Sequence, residues 1–298
     1  MDRLVSTMHN ALTVDVEDYF QVAAFSRQID PATWDRFSLR VETNTHRLLE
    51  LFSDRGMCAT FFVLGWVAER CPGLIQAIAE CGHEVACHGY SHQLVYNQSP
   101  AVFHEETVRA KACLEDQIQR PVLGYRAASY SITQRSLWAL DVLAELGFSY
   151  DSSIFPIRHD RYGIPGSPRW PYCLTTPTGS TLIEFPPSTL SILGYRLPVA
   201  GGGYFRLYPY WLTRSALAHL NRWERQPFIF YVHPWEIDPE QPRLRAGWLS
   251  RFRHYTNLTR CERRLRRLLR DFQFSTVRDT LEATPLLVRT AFCAVPNM

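Results

Sequence analysis

The sequence predicts an α/β fold with a mainly parallel sheet, organised either as an open doubly wound sheet or as a (β/α) barrel. Short apolar segments rich in β-branched and aromatic residues alternate with longer segments of helical period along the 298 residues. About seven such apolar segments occur, which is typical of repeated βα units. Polar residues capable of chemistry follow several of them, and both architectures place their sites at the carboxyl ends of the strands.

Each predicted strand is a short apolar run, and each predicted helix repeats its apolar residues every three to four positions. The predicted strands are Ala11–Val16, Ala59–Leu64, Glu84–Cys87, Val122–Tyr125, Phe148–Tyr150, Leu182–Phe185 and Phe228–Val232. The predicted helices between them are Thr43–Phe52, Pro72–Cys81, Val102–Ile118 and Gln134–Leu146. The stretch from about Arg158 to Tyr208 is rich in Pro and Gly, which predicts long loops or an inserted subdomain near the site.

The composition is that of a globular protein, with 46% hydrophobic and 20% charged residues. No apolar run approaches the roughly 18 residues that a membrane span needs, and no apolar segment typical of a secretory signal precedes the VDVED cluster. We therefore expect a cytoplasmic protein. Eight cysteines without a CxxC pair indicate reduced thiols, and the length permits one large domain over residues 1–298.

Ten arginines lie between Arg243 and Arg270, although the net charge is only +3. One interpretation is a patch that binds nucleic acid or an anionic membrane. The other is the solvated side of an amphipathic helix. The helical spacing of five apolar residues favours the second interpretation, and these residues are Leu258, Leu265, Leu268, Leu269 and Phe272.

The motif CHGYSH places His88 and His92 four residues apart. This spacing lets two imidazoles bind one metal ion from a single helical turn or a tight loop. Such a pair alone more often has a surface or hydrogen-bonding role, because two histidines at this spacing occur often by chance. A carboxylate at the same place would favour a metal site.

The motif VDVED supplies three acids at the end of the first predicted strand. Asp15 and Glu17 point the same way on a strand, and Asp18 lies where the strand gives way to a loop. A helix cap or a solvent-facing loop is the alternative interpretation. Carboxylates that follow an apolar strand must nevertheless be paired, hydrogen-bonded or metal-bound if they are buried. Arg126, after the fourth predicted strand, and a metal ion would satisfy them.

Two histidines and one carboxylate leave coordination positions open for water and substrate, which favours a catalytic ion and hydrolysis. A further acid could accept a proton from water, and His233 in FYVHPWE could protonate a leaving amine. Trp170, Trp235, Tyr130 and Tyr204 could stack on sugar rings, although aromatic residues more often pack in a core. The chain has no GxSxG, GxxxxGK[ST] or GxGxxG motif, which argues against serine esterases and nucleotide-dependent enzymes.

Four segments together resemble the polysaccharide deacetylases with NodB homology, carbohydrate esterase family four: LTVDVED, ATFFVLG, GHEVACHGYSH and GYRAASYSI. Four later segments resemble the subset linked to exosortase-associated exopolysaccharide gene clusters: YDSSIFP, LPVAGGGYFRLYPYW, FYVHPWEIDPEQPR and RHYTNLTRCERRLRRLLRDFQF. The resemblance implies a distorted (β/α) barrel, seven-stranded, with a loop-rich insertion and a C-terminal helical extension. It places the core motifs in residues of about 10–157 and 225–240, and the subset-specific extension within about 158–298.

The resemblance also implies an activity. Acetyl groups would be removed from N-acetylated sugars of a polysaccharide or its lipid-linked precursor, in exopolysaccharide biosynthesis, with one divalent ion, most often Zn²⁺. By position, Asp15 corresponds to the catalytic base, Arg126 to the residue that holds this base, and His233 to the catalytic acid. His88 and His92 correspond to metal ligands.

The resemblance leaves the third metal ligand open between Glu17 and Asp18, and strand alternation favours Glu17. Ala128 replaces the proline usual in the arginine motif, which bears on the wall of the substrate groove. The family stabilises the oxyanion with the metal and a backbone N–H, which by position lies near Ser129 or Tyr130. The residues expected to contact substrate are Ser129, Tyr130, Tyr204 and Trp235.

Two other functions stay open. One is hydrolysis of another non-peptide C–N bond, such as a small cyclic amide, which a narrow, closed site would favour. The other is glycan binding without catalysis, which the presence of base, acid and ligand candidates argues against. The expected partner is a poly- or oligosaccharide and not a nucleic acid. A role at the cytoplasmic face implies peripheral association with membrane-bound exopolysaccharide machinery.

Overall fold

The structure, a computed structural model, describes residues 8–26, 28–284 and 289–291. The strands are β1 His9–Val16, β2 Thr60–Val63, β3 Glu84–Cys87, β4 Gly124–Tyr125, β5 Tyr150–Asp151, β6 Tyr172–Thr175, β7 Thr181–Glu184, β8 Thr189–Ile192, β9 Tyr195–Pro198, β10 Ile229–Val232, β11 Gln273–Ser275 and β12 Arg289–Ala291. The α-helices are α1 Val41–Ser53, α2 Gly65–Arg70, α3 Pro72–Glu80, α4 Pro100–Ile118, α5 Trp138–Glu145, α6 Gly202–Leu207, α7 Tyr210–Arg222, α8 Trp248–Tyr255, α9 Leu258–Asp271 and α10 Val277–Glu282.

Seven consecutive parallel strands form the centre of the sheet, in the order β10, β1, β2, β3, β4, β5 and β7. They are the seven strands that the sequence predicts, so the α/β prediction is confirmed. Strand β6 pairs antiparallel with β7, β12 pairs with β6, and β11 pairs with the start of β1. Among the described residues β7 and β10 do not pair, so the sheet is a distorted barrel that is open on one side.

The chain that follows β7 partly bridges this opening. The Ile229 N–H donates to Ser188 Oγ at 2.9 Å, and the Tyr231 N–H donates to the Ala200 carbonyl at 2.7 Å. Gly201 comes next with a φ of 129°, and a Cβ at this position would overlap the Tyr231 carbonyl oxygen. Glycine is required here because the two backbones approach so closely.

The central strands are buried because helices cover the outer face of the sheet and side chains fill its interior. Helices α1, α3 and α4 lie where the sequence predicts them. The predicted helix Gln134–Leu146 is divided, since a 3-10 turn over Gln134–Ser136 precedes α5. Thr133 and Ser136 cap that turn reciprocally through their hydroxyl groups.

Residues 158–208 contain more regular structure than their Pro and Gly content indicates. They include β6, β7, helix α6 and the hairpin of β8 and β9. The hairpin turn consists of Leu193 and Gly194, both at positive φ, as a two-residue turn requires. Loops join these elements near the open side of the barrel.

The C-terminal region is helical, as predicted, and α9 confirms the amphipathic interpretation for the part of the arginine-rich segment that it contains. Its apolar side is buried and most of its arginines face solvent; the buried residues are Leu258, Cys261, Leu265, Leu268 and Leu269. Phe272, directly after the helix, is also buried. Seven cysteines are free thiols, and Cys293 lies outside the described residues. Within the described ranges, no helix has the length and apolar character needed to span a bilayer.

Candidate active site

Four strands bring ionisable side chains to one cavity of about 210 Å³. Asp15 lies near the end of β1, His88 follows β3, Arg126 follows β4 and His233 follows β10. Asp15, His88 and His233 line the cavity, and Arg126 is buried beside Asp15. The structure therefore brings together the residues that the sequence placed at the carboxyl ends of separate strands.

Glu17, His88 and His92 form a compact group whose potential ligand atoms lie within 4.8 Å of one another. His92 Nε2 is 2.7 Å from Glu17 Oε2. His88 Nδ1 is 2.7 Å from the Arg126 carbonyl oxygen, which leaves Nε2 as the atom available to a ligand. A backbone carbonyl on the second ring nitrogen is the usual support of a metal-binding histidine. Two imidazoles and one carboxylate suit a divalent ion such as zinc, so these residues fit a catalytic metal site.

The charge states of His88 and Glu17 also suit a metal ion. Burial lowers the pKa of His88 to about 4, so its imidazole is neutral at neutral pH. Burial opposes ionisation of Glu17, but the charge and hydrogen bond of His92, followed by His233, hold the pKa of Glu17 well below its usual range. A neutral imidazole and an ionised carboxylate are the forms that bind metals.

Asp18, the other acid considered as a metal ligand, faces away from the histidines. Its Oδ1 accepts the Tyr19 N–H at 2.8 Å. Its Oδ2 accepts the N–H groups of Arg40 and Val41 at 2.7 and 2.9 Å, at the first turn of α1. The Asp18 carboxylate thus caps this helix. The structure brings Glu17, and not Asp18, to the histidine pair.

Asp15 forms a buried ion pair with Arg126, whose Nη1 donates to Asp15 Oδ1 at 2.6 Å and to Thr13 Oγ1 at 2.8 Å. The guanidinium lies over the Phe62 ring, 4.1 Å from its centre. Both charges are almost fully shielded from water, so their pairing and hydrogen bonds offset the desolvation of each. One carboxylate oxygen of Asp15 is held in this way, and Oδ2 points toward His233 at 3.8 Å from its Nε2.

Arg126 is fixed by the segment after β5, which sequence reasoning missed. Its Nε and Nη2 donate to the carbonyl and hydroxyl oxygens of Ser152 at 3.3 and 3.0 Å. The Ser153 hydroxyl accepts the backbone N–H that follows Arg126 and donates to Asp151. A run of three polar residues directly after a predicted strand was the available signal. These buried contacts leave the guanidinium little freedom to move.

His233 is held by a buried glutamate and arginine that were also missed. His233 Nδ1 is 3.0 Å from Glu236 Oε2, and Glu236 Oε1 accepts Arg206 Nε at 2.6 Å. Burial opposes the charged form of His233, but the hydrogen bond and charge of Glu236 raise its pKa to about 9. Burial also opposes ionisation of Glu236, but Arg206 and His233 lower its pKa to about 2. His233 is therefore a cation at neutral pH.

Arg206 connects this site to the end of α8. Its Nη1 donates to the carbonyl oxygens of His254 and Thr256 at 2.7 and 2.9 Å, and its Nη2 donates to that of Arg253 at 3.0 Å. The guanidinium therefore satisfies carbonyl groups that the end of a helix leaves without partners. No sequence pattern signals this contact, because α6 and α8 are far apart in the chain.

Two family models match adjoining parts of this chain. Residues 31–150 match the model described as Polysaccharide deacetylase. This chain contains a polysaccharide deacetylase domain. Residues 152–282 match a model described as Domain of unknown function (DUF3473).

Curated relatives of the deacetylase domain match over shorter stretches. A chitooligosaccharide deacetylase of Bradyrhizobium sp. is 31% identical over 100 residues, which are 34% of this chain and 43% of the relative. A peptidoglycan deacetylase of Helicobacter pylori is 27% identical over 113 residues, 38% of each chain. The matches thus span less than half the length of these relatives.

Solved structures support the fold over nearly the whole chain. A Mycobacterium smegmatis protein assigned to the polysaccharide deacetylases superposes with a TM-score of 0.61 at 22% identity, and 95% of this chain and 93% of the other are covered. A peptidoglycan deacetylase of Bacillus subtilis gives a TM-score of 0.50 at 13% identity, with 93% and 92% covered. At these identities the likeness is one of fold.

The residues predicted to contact substrate differ in their surroundings in the structure. Ser129 and Tyr130 line the cavity, both at positive φ. Trp235 lines it too, but its indole is mostly buried. The indole N–H donates to Glu17 Oε1 at 3.1 Å, and the ring stacks on His254 with centres 4.2 Å apart. Trp235 therefore contacts and orients Glu17.

A second cavity of about 940 Å³ adjoins the first, and Tyr162 and Arg253 line both. Tyr204 lines this larger cavity, with its hydroxyl 3.3 Å from that of Tyr162. Trp170 lines neither cavity, and the Arg169 guanidinium lies 4.6 Å from the centre of its ring. The two adjoining cavities thus form one groove, and Asp15, His88 and His233 lie in its smaller part.

Proposed function

We propose that this protein is a metal-dependent N-deacetylase acting on N-acetylated sugars of a polysaccharide or its lipid-linked precursor. One observation carries the proposal. A single cavity holds a group of two histidines and a carboxylate, a second carboxylate fixed by a buried arginine, and a third histidine fixed by a glutamate. Hydrolysis of an amide needs these three functions: an electrophilic centre, a base and an acid.

Glu17, His88 and His92 would hold one divalent ion, with Zn²⁺ expected because it favours imidazole and carboxylate ligands at open sites. Bound there, the ion would act as a Lewis acid toward the acetamide carbonyl. Trp235 and the Arg126 carbonyl would fix Glu17 and His88. Outer contacts of this kind orient ligands and raise metal affinity.

Asp15 would act as the base. Its Oδ1 is engaged by Arg126, which leaves Oδ2 to accept a proton from the attacking water. Arg126 would fix the direction of the carboxylate, and the Ser152 contacts would fix Arg126 in turn.

His233 would act as the acid that protonates the departing sugar amine. Its Nε2 faces the cavity, 3.6 Å from Glu17 Oε1, and the imidazole is cationic at neutral pH through Glu236. Protonation of the nitrogen lets the C–N bond break, so the products are acetate and a free amine. His233 then regains a proton from solvent.

The oxyanion of the tetrahedral intermediate would be stabilised by a backbone N–H group of the arginine motif. The Tyr130 N–H already donates to the Ala127 carbonyl at 3.0 Å, so the Ser129 N–H is the better candidate. Tyr204, farther along the groove, would contact more distant sugar rings. Tyr130 would shape the inner wall.

The size of the groove supports a saccharide as the substrate rather than a small cyclic amide. A cavity of about 940 Å³ next to the site can hold several sugar rings, whereas a small amide would need only the inner cavity. The names of the curated relatives, a chitooligosaccharide deacetylase and a peptidoglycan deacetylase, support the same substrate class. A glycan-binding protein without activity would not need the buried base and acid assemblies.

The biological setting is part of this proposal. The resemblance of the C-terminal segments to the exosortase-associated subset supports a role in exopolysaccharide biosynthesis, with membrane-bound machinery as a partner. We propose that the protein acts at the cytoplasmic face. Cell fractionation would test this location, and recovery mainly from the periplasm or medium would contradict it.

Acetate release tests the activity. The full chain with one equivalent of Zn²⁺ should release acetate from N-acetylhexosamine oligomers or lipid-linked precursors. The variant Asp15→Asn should lose at least about 100-fold in kcat while it binds the same amount of metal, because the base is not a ligand. A metal-loaded protein that releases no acetate from a broad panel of saccharides would contradict the proposal.

A further inference from the structure

Helix α8 presents an apolar face to solvent beside the groove. Trp248, Leu249 and Phe252 are 79%, 44% and 51% exposed. With about 100° of rotation per residue, these three side chains lie on one side of the helix. The opposite side carries His254, which is buried and stacked on Trp235. The helix is thus anchored to the active site by one face and leaves the apolar face uncovered by the described residues.

Arginines border this apolar face. By the same helical geometry, Arg251 and Arg253 lie on its two flanks. Arg243 and Arg245 precede the helix, and residues 243–253 contain no Asp or Glu. An apolar stripe between rows of positive charge is typical of helices that lie in the interface of an anionic bilayer.

We propose that the α8 face docks on the surface of an anionic lipid bilayer. Trp and Phe would enter the interface, where aromatic rings are favoured, and the arginines would contact lipid phosphates. A second copy of this chain fits less well, because pairing of two α8 faces would bring their arginines together. Charge complementarity therefore selects an anionic lipid as the occupant.

Docking would also orient the groove. Arg253, on one flank of the apolar face, lines the larger cavity, and so does Ser250, which lies nearer the side of α8 that carries His254. A bilayer under α8 would therefore lie at the edge of the groove. The lipid-binding inference does not depend on the deacetylase activity, since α8 binds lipid with or without a functional site.

Vesicle binding tests the inference with the full chain. We expect co-sedimentation with vesicles of phosphatidylcholine and phosphatidylglycerol, and about tenfold weaker binding to phosphatidylcholine alone. The triple variant Trp248→Ser, Leu249→Ser, Phe252→Ser should lose binding at least about tenfold. The matched control is Trp223→Ser, which removes a tryptophan that is also 79% exposed and should bind like the original protein.

A second variant separates charge from apolar contact. Arg245→Gln with Arg251→Gln should weaken binding and reduce its dependence on salt. Circular dichroism and thermal unfolding would establish that all variants are folded. Binding that is equal for the triple variant and the original, or no binding to anionic vesicles, would overturn the inference. Light scattering that shows a dimer, dissociated by the triple variant, would assign the face to self-association instead.

Discussion

Glu17 and Asp18 are adjacent acids for which the structure predicts opposite consequences of the same chemical change. Glu17→Gln removes the carboxylate that faces His92, whereas Asp18→Asn removes a carboxylate that caps α1. Both substitutions keep the shape of the side chain and neutralise one charge. Each variant is therefore the matched control for the other.

The cost of Asp18→Asn follows from its three hydrogen bonds. An asparagine can offer its carbonyl oxygen to the Arg40 and Val41 N–H groups, but its NH₂ then faces the Tyr19 N–H. A buried donor left without a partner costs about 1–3 kcal/mol. Burial raises the pKa of Asp18 to about 6, so removal of the charge relieves desolvation and adds no cost of its own. We therefore expect the free energy of unfolding to fall by about 1 to 3 kcal/mol.

Glu17→Gln should differ from Asp18→Asn in its effect on zinc binding. Loss of the ligand itself should weaken Zn²⁺ binding by more than the roughly 100-fold that loss of an outer contact causes. The metal-free variant loses the charge that pairs with the buried His92, so its free energy of unfolding should also fall, although Gln keeps an acceptor for the Trp235 N–H.

Zinc titration by calorimetry and urea unfolding in chelator would measure the two effects separately. Asp18→Asn should bind zinc normally and unfold at lower urea. Loss of zinc binding in Asp18→Asn, together with normal binding in Glu17→Gln, would refute the assignment of the ligand.

Two further predictions concern the acid and the open side of the barrel. Glu236→Gln removes the charge that raises the pKa of His233, so the alkaline limb of kcat, where the acid loses its proton, should move down by more than about one pH unit. An unmoved limb in the pH profile would show that Glu236 does not act through His233. Gly201→Ala should lower the free energy of unfolding by more than about 1 kcal/mol, because its Cβ would overlap the Tyr231 carbonyl at positive φ. Gly203→Ala, whose Cβ would meet only a side chain at 3.9 Å, is the control, and equal denaturation midpoints for the two would contradict this reasoning.

The central strands could be predicted because each is a short apolar run that becomes buried on both faces. Parallel topology then placed Asp15, His88, Arg126 and His233 at one end of the sheet. The hairpin of β8 and β9 could not be predicted in this way. Its residues are mostly half-buried or exposed, so their apolar pattern carries little information.

The missed site residues depend on contacts between distant parts of the chain. Arg206 reaches Glu236 only because α6 packs beside the turn after β10. The choice between Glu17 and Asp18 likewise depends on the contact of Asp18 with the N-terminus of α1, which lies more than twenty residues later in the chain. The alternation of side chains along β1 favoured Glu17, but it could not show that backbone N–H groups of a helix would donate to Asp18.

The hydrogen bonds from Arg206 to the end of α8 bear on how far the chain could be shortened without loss of the proposed activity. The segment matched as Polysaccharide deacetylase, residues 31–150, contains the histidine pair and Arg126 but neither Asp15 nor His233. Glu236, which holds His233, and the carbonyl groups that hold Arg206 all lie in residues 152–282. The boundary between the two matched segments therefore separates residues that would have to act together at the proposed site. A transplanted segment of residues 31–150 would carry the histidine pair without Glu17, and so without the third of the proposed ligands. It would also lack the proposed base, Asp15, and the proposed acid, His233.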